Sequence, residues 1–223
     1  MGLIAEGLAR VEQRIEQAAH RAGRSRGEIT LIGVSKVFPA AAICEAYQAG
    51  LRHFGENYVQ EFQAKRPELG DLPEATFHLI GHLQSNKARP AAELFDVIQT
   101  VDSERLAKRL DEAGRRLQVF VEVKLSPEEA KSGVSEQDLP RLLDAVRALG
   151  NLELRGLMVM PPWPENPEDS RPYFRKLREL AGRFGLAQLS MGMSGDFEVA
   201  IEEGATLIRV GTAIFGPRKK GPA

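Results

Sequence analysis

Residues 29–39 read ITLIGVSKVFP. The run is apolar, rich in β-branched residues and too short for a helix, which marks a strand buried on both faces. It delivers a single amine, Lys36, and breaks at Pro39. Seven comparable runs follow: LRHFG (51–55), TFHLIG (76–81), DVIQTV (96–101), LQVFVEVK (117–124), LELRGLMV (152–159), LAQLSMG (186–192) and TLIRVG (206–211). Amphipathic stretches separate them. Ahead of the first, apolar residues recur at Ile4, Leu8, Val11 and Ile15, the seam of an N-terminal helix. SERLAKRLDEAG ends at Gly114 as a capped helix would, and SPEE, from Ser126 to Glu129, fits a capping box with Pro127 in the first turn. Strands alternating with helices, with none left over, predict an α/β fold: a single (β/α)8 TIM-type barrel with no second β domain. The competing doubly wound sheet usually carries a GxGxxG turn after its first strand, and none occurs here.

The 223 residues suffice for one large core, so residues 1–223 are expected to form one domain, with 217–223 a flexible tail. The net charge of −1 gives no field for nucleic acid or anionic membrane. No stretch is long and apolar enough to span a bilayer, and no signal-peptide pattern opens the chain. Cys44 is the only cysteine, which excludes an intrachain disulfide and fits a small buried residue in a reducing compartment. A cytoplasmic monomer is expected. The proline-rich PPWPENPEDSRP, residues 161–172, reads as an ordered surface loop after the sixth strand, in preference to a lid.

In such a barrel the chemistry sits at the C-terminal strand ends, where Lys36 lies. SMGMSGDFEVAIEEG places Gly192, Ser194 and Gly195 between a strand end and a helix start, and IRVGTAIFG ends the eighth strand with Arg209, Gly211 and Thr212. Small residues at helix starts admit an anion close to backbone N–H groups. Opposite a lysine, such loops suggest a phosphate-bearing aldehyde, pyridoxal 5′-phosphate, held as a Schiff base. His78 and His82 stand four apart, but HLIGH runs off a strand, which separates the two rings and argues against zinc.

Four passages, GVSKVFP, FGENYVQE, FHLIGHLQSNK and SMGMSGDFEVAI with IRVGTAIFG, resemble the pyridoxal-phosphate homeostasis protein family, and the resemblance runs along essentially the whole chain. It implies a barrel like the N-terminal domain of alanine racemase. It also implies that Lys36 carries the cofactor, that Ser194, Gly211 and Thr212 hold its phosphate, and that Arg209 lies near the pyridine nitrogen. Asn57 and Met193 match residues close to the cofactor. His78, Gly81, Gln84, Asn86 and Lys87 match the family signature without an assigned role. PLP-dependent apo-enzymes are the partners so implied.

One position departs from that pattern. Strand alternation sets Phe120, Glu122 and Lys124 on one face, with Val119, Val121 and Val123 on the other. Lys124 stands where relatives usually carry asparagine, and an ion pair with Glu122 is the expected consequence. The resemblance also frames the choice between a non-catalytic carrier and an amino-acid racemase. Racemisation needs a second acid/base on the far face of the cofactor, which racemases take from a tyrosine in a second domain that is not expected here. Of Tyr47, Tyr58 and Tyr173, only Tyr58 follows a site residue. The carrier is the favoured reading.

Overall fold

Each of the eight apolar runs forms a strand in the computed structural model, which describes residues 2–126 and 132–217. The strands are β1 (Thr30–Val34), β2 (His53–Glu56), β3 (Thr76–Leu79), β4 (Val97–Val101), β5 (Leu117–Glu122), β6 (Leu152–Met158), β7 (Gln188–Ser190) and β8 (Leu207–Val210). All pair in parallel in chain order, and β8 pairs back with β1 to close the barrel. Around it run α1 (Leu3–Arg21), α2 (Ala40–Gln48), α3 (Val59–Lys65), α4 (Ala88–Leu94), α5 (Glu104–Asp111), α6 (Leu139–Arg147), α7 (Arg171–Arg183), α8 (Phe197–Glu202) and the short α9 (Thr212–Phe215). No second β domain occurs among the described residues.

Period-two alternation decides what each strand does. Leu31, Phe54, Phe77, Leu79, Ile98, Val119 and Val121 face outward into an annular core shared with the helices. Helix α1 contributes Ile4, Leu8, Val11 and Ile15 to it, the seam read from the sequence. Facing inward, Ile32, Val97, Phe120, Met158 and Leu207 form a much smaller cluster. The barrel interior is therefore only partly apolar, and buried polar groups fill the rest: His78, Gln99, Glu122, Ser190 and Arg209.

The helix limits follow from local chemistry. Ser103 caps α5, its Oγ accepting from Leu106 N at 3.4 Å, and Gly114 leaves the helix at φ +71°. Two local readings change. Residues 161–172 are not loop throughout: Pro167–Ser170 forms a 3-10 turn opened by Asn166, whose Oδ1 accepts from Glu168 N, and α7 begins at Arg171. Cys44 is half-buried rather than buried, its Sγ 4.0 Å from Leu69 O. The capping box at 126–129 and the tail beyond Pro217 lie outside the described residues. No described helix is long and apolar enough to cross a membrane.

Candidate functional site

At the C-terminal end of the barrel, Lys36, Asn57, Met193, Ser194, Arg209, Gly211 and Thr212 line one cavity of about 110 Å³. These are the seven positions that the resemblance places around the cofactor; Gly192, Gly195 and the signature residues His78, Gly81, Gln84, Asn86 and Lys87 do not line it. The structure adds Val34, Ile80, Met160 and Trp163 to the wall. Those four carry no chemical signal in the sequence; they are apolar residues at strand ends and in the loop after β6, visible only once the barrel closes. Larger hollows of about 690 and 610 Å³ lie toward the N-terminal ends of the strands. Size does not select the site: an amine, a guanidinium and two hydroxyls converge only on the small one.

A second lysine shapes the loop that carries Lys36. Ser35 extends the β1–β2 ladder, its N–H donating to Gly55 O at 3.0 Å, and the chain then turns, with Phe38 N donating to Ser35 O at 3.1 Å. Val37, inside that turn, takes φ +64°, a left-handed conformation that costs a β-branched residue about 1–2 kcal/mol. Its N–H donates to Glu61 Oε1 at 2.6 Å. Lys65 Nζ ties the arrangement together, meeting Glu61 Oε1 at 2.6 Å, Glu56 Oε1 at 2.9 Å and Ser35 O at 3.1 Å. Ser35 Oγ also donates to Glu56 Oε1, at 2.8 Å. Burial pushes the Glu56 carboxyl above the ordinary carboxylate range, and Lys65 pulls it back.

The opposite wall is set by Asp196. Its Oδ1 accepts from Met193 N at 2.6 Å, and its Oδ2 accepts from Ser170 Oγ at 2.8 Å. The turn carrying Ser194 is thereby fixed, and Ser194 Oγ accepts from Gly211 N at 3.2 Å, which joins the loops after β7 and β8. The first N–H groups of α9, beginning at Thr212, have no intrahelical acceptor, as at any helix start.

Arg209 rises from β8 into the floor and is 3% exposed. Nη1 donates to Ser190 Oγ at 2.6 Å and Nη2 to Val159 O at 2.9 Å. Burial lowers its pKa to about 10, against the opposing pull of Asp196 and Glu122. Glu122 points inward, as alternation requires, and is pushed up to about 7 by burial first and Asp102 second, with Arg209 opposing. The expected Glu122–Lys124 ion pair is not made among the described residues. Glu122 Oε2 accepts no hydrogen bond there, and the charges acting on the carboxyl are those of Asp102 and Arg209.

The FHLIGHLQSNK passage acquires a structural role. A Cβ on Gly81 would lie 2.3 Å from Asn57 O, so only glycine lets this loop press against the Asn57 backbone, and Thr100 Oγ1 donates to Gly81 O at 2.9 Å. His78 turns into the barrel, while His82 is exposed, 3.6 Å from Asp102. Tyr58 is 56% exposed and is not part of the cavity wall.

Residues 7–219 match the family described as alanine racemase, N-terminal domain. The pyridoxal phosphate homeostasis protein of Pseudomonas aeruginosa is 49% identical over 227 residues, 99% of this chain and 98% of its own. The chain belongs to that family. Its counterpart in Aquifex aeolicus is 45% identical over 224 residues, 96% of this chain and 98% of the relative. PipY of Synechococcus elongatus, solved with PLP bound, superimposes with a TM-score of 0.83 at 46% identity, covering 96% of this chain and all of PipY. Alanine racemase of Corynebacterium glutamicum shares the fold, with a TM-score of 0.69 at 20% identity, but this chain spans only 59% of it.

Proposed function

We propose that this family member binds pyridoxal 5′-phosphate, holds it as a Schiff base on Lys36, and stores or delivers it without catalysing a reaction of its own. The observation that carries the reading is the convergence of Lys36, Arg209, Ser194 and Thr212 on one cavity wall. The wall also fits a polar ligand: Asn57 Oδ1 is buried there and accepts no hydrogen bond from the described chain. The cofactor that PipY binds suits the same donor set.

When bound, the group supplies an aldehyde that condenses reversibly with amines. Lys36 provides the amine. Ser194, Gly211 and Thr212 would hold the phosphate, the two hydroxyls and the N–H groups that open α9 serving as donors, and Arg209, being cationic, would disfavour protonation of a ring nitrogen placed against it. Met193 and Trp163 belong to the same wall and would stand beside the bound group. Tyr58 stands outside the wall, so among the described residues no tyrosine lines the cavity to serve as the second acid/base of a racemase, which favours storage over racemisation. We propose further that a monomer suffices and that apo-enzymes requiring the cofactor are its recipients.

The test is to mix the loaded protein with such an apo-enzyme and, separately, with L- and D-alanine in deuterated water. Recovery of apo-enzyme activity with no α-deuterium uptake is expected. Rapid uptake, lost in Tyr58→Phe, would establish the racemase instead.

A further inference from the structure

A line of polar side chains crosses the barrel interior beneath the cavity, contributed by β8, β7, β4, β3 and β2. Arg209 Nη1 donates to Ser190 Oγ at 2.6 Å, and Ser190 Oγ donates to Gln99 Oε1 at 2.6 Å. Gln99 Nε2 lies 3.0 Å from His78 Nδ1, and His78 Nε2 lies 3.0 Å from His53 Nδ1. Ser190, Gln99 and His78 are buried, and His53 borders the hollow at the opposite end of the barrel.

The arginine dictates the direction of every bond in this line. A guanidinium has no acceptor, so Ser190 Oγ must accept from it and spend its single proton on Gln99. The atom of Gln99 facing Ser190 is then the carbonyl oxygen, which turns the amide nitrogen toward His78. His78 Nδ1 can only accept from an amide N–H, so its proton sits on Nε2 and is donated to His53 Nδ1. His53 in turn carries its proton on Nε2. No donor meets a donor anywhere along the line.

We propose that Ser190, Gln99 and His78 are positioning residues for Arg209, holding its guanidinium in one orientation with Val159 O and leaving the rest of the fork for the cavity. Two observations support this. Burial first, and His53 second, hold His78 at a pKa of about 3, and burial also lowers His53. Both rings are thus neutral at neutral pH, as a one-way line demands. The interior of such a barrel is ordinarily filled by branched aliphatic residues, so the polar line carries a desolvation cost that aliphatic packing would avoid. The ligand in this proposal rests on the reading of the cavity as a pyridoxal phosphate site; the geometry does not.

Nitrogen-15 NMR of histidine-labelled, ligand-free protein at pH 7 tests the line by itself. His53 and His78 should both be neutral with the proton on Nε2; a proton on Nδ1 of either ring overturns the direction. Pyridoxal phosphate titrations, followed by the visible band, then separate positioning from packing. Gln99→Met should weaken binding about tenfold and shift the band, because Ser190 loses its acceptor. Ser190→Thr, whose hydroxyl can still accept from Arg209 and donate to Gln99, should bind within about threefold of the parent and keep the band. Ser190→Ala, which barely alters volume, should behave like Gln99→Met. Equal losses in Ser190→Thr and Ser190→Ala, or unchanged binding in Ser190→Ala, would reduce the line to packing and overturn the proposal. If the parent protein binds no pyridoxal phosphate, the cofactor reading fails while the NMR result still decides the line.

Discussion

Lys65 has no place in the ligand wall, yet it holds the turn that presents Lys36. Its ammonium is shared between the buried Glu56, Glu61 and the Ser35 carbonyl. Lys65→Met would leave Glu56 buried with only a serine hydroxyl, and losing one partner of a buried pair costs about 3–5 kcal/mol. Urea unfolding should register that loss, and pyridoxal phosphate affinity should fall with it as Val37 relaxes from its left-handed turn. A variant that unfolds at the parent's urea concentration would show that the pair is not structural. Ser194 and Thr212 are expected to read phosphate and not aldehyde. Each hydroxyl bonded to a dianion contributes about 1.5–3 kcal/mol, so either alanine variant should bind pyridoxal phosphate roughly tenfold or more weakly. Binding of phosphate-free pyridoxal should barely change. Equal losses for the two ligands would remove both residues from the phosphate site.

Strand β5 places Glu122 beside Arg209, where its carboxyl is raised from 4.5 to about 7. A folded value above the unfolded one means that the native state holds the proton more tightly. The stability it contributes is complete below about pH 4.5 and is lost as pH rises through 7, about 3 kcal/mol in all. Glu122→Gln should therefore gain on the parent as pH climbs from 4.5 to 8 in urea titrations; parallel curves would contradict the burial argument. His78 on β3 works in the opposite direction. Its folded value lies below 6.5, so its contribution is present above that pH and drains away toward pH 3. The strands themselves were legible in the sequence because alternation and β-branched runs report burial directly, and all eight formed. The seven wall residues were legible through family resemblance as well as position, since strand ends and Gly-Ser or Gly-Thr turns alone are common. The supporting contacts were not legible. Lys65 and Glu61 sit one turn apart on α3 and read as an ordinary solvated helix pair; only the closed barrel brings them to Val37. Gln99 and Ser190 are 91 positions apart, and no local pattern pairs them. Alternation gives Lys124 a face but not a partner, and among the described residues the charges acting on Glu122 are those of Asp102 and Arg209.

The molecule divides its stability and its chemistry between two regions. An annulus of aliphatic and aromatic side chains between helices and strands supplies the apolar core, and this frees the barrel interior to carry polar groups that point toward one mouth. The racemase fold neighbour extends well beyond the region shared with this chain. In the shared region a lysine, an arginine and two hydroxyl-bearing loops meet at one cavity, the arrangement on which the proposed holding and release of a reactive aldehyde rests. The decisive measurement is borohydride reduction of the protein loaded with pyridoxal phosphate, followed by digestion and mass mapping of the modified peptide. The pyridoxyl group should appear on Lys36, and Lys36→Ala should lose the visible band. A label on another lysine, such as Lys124, with Lys36 unmodified, would contradict the assignment.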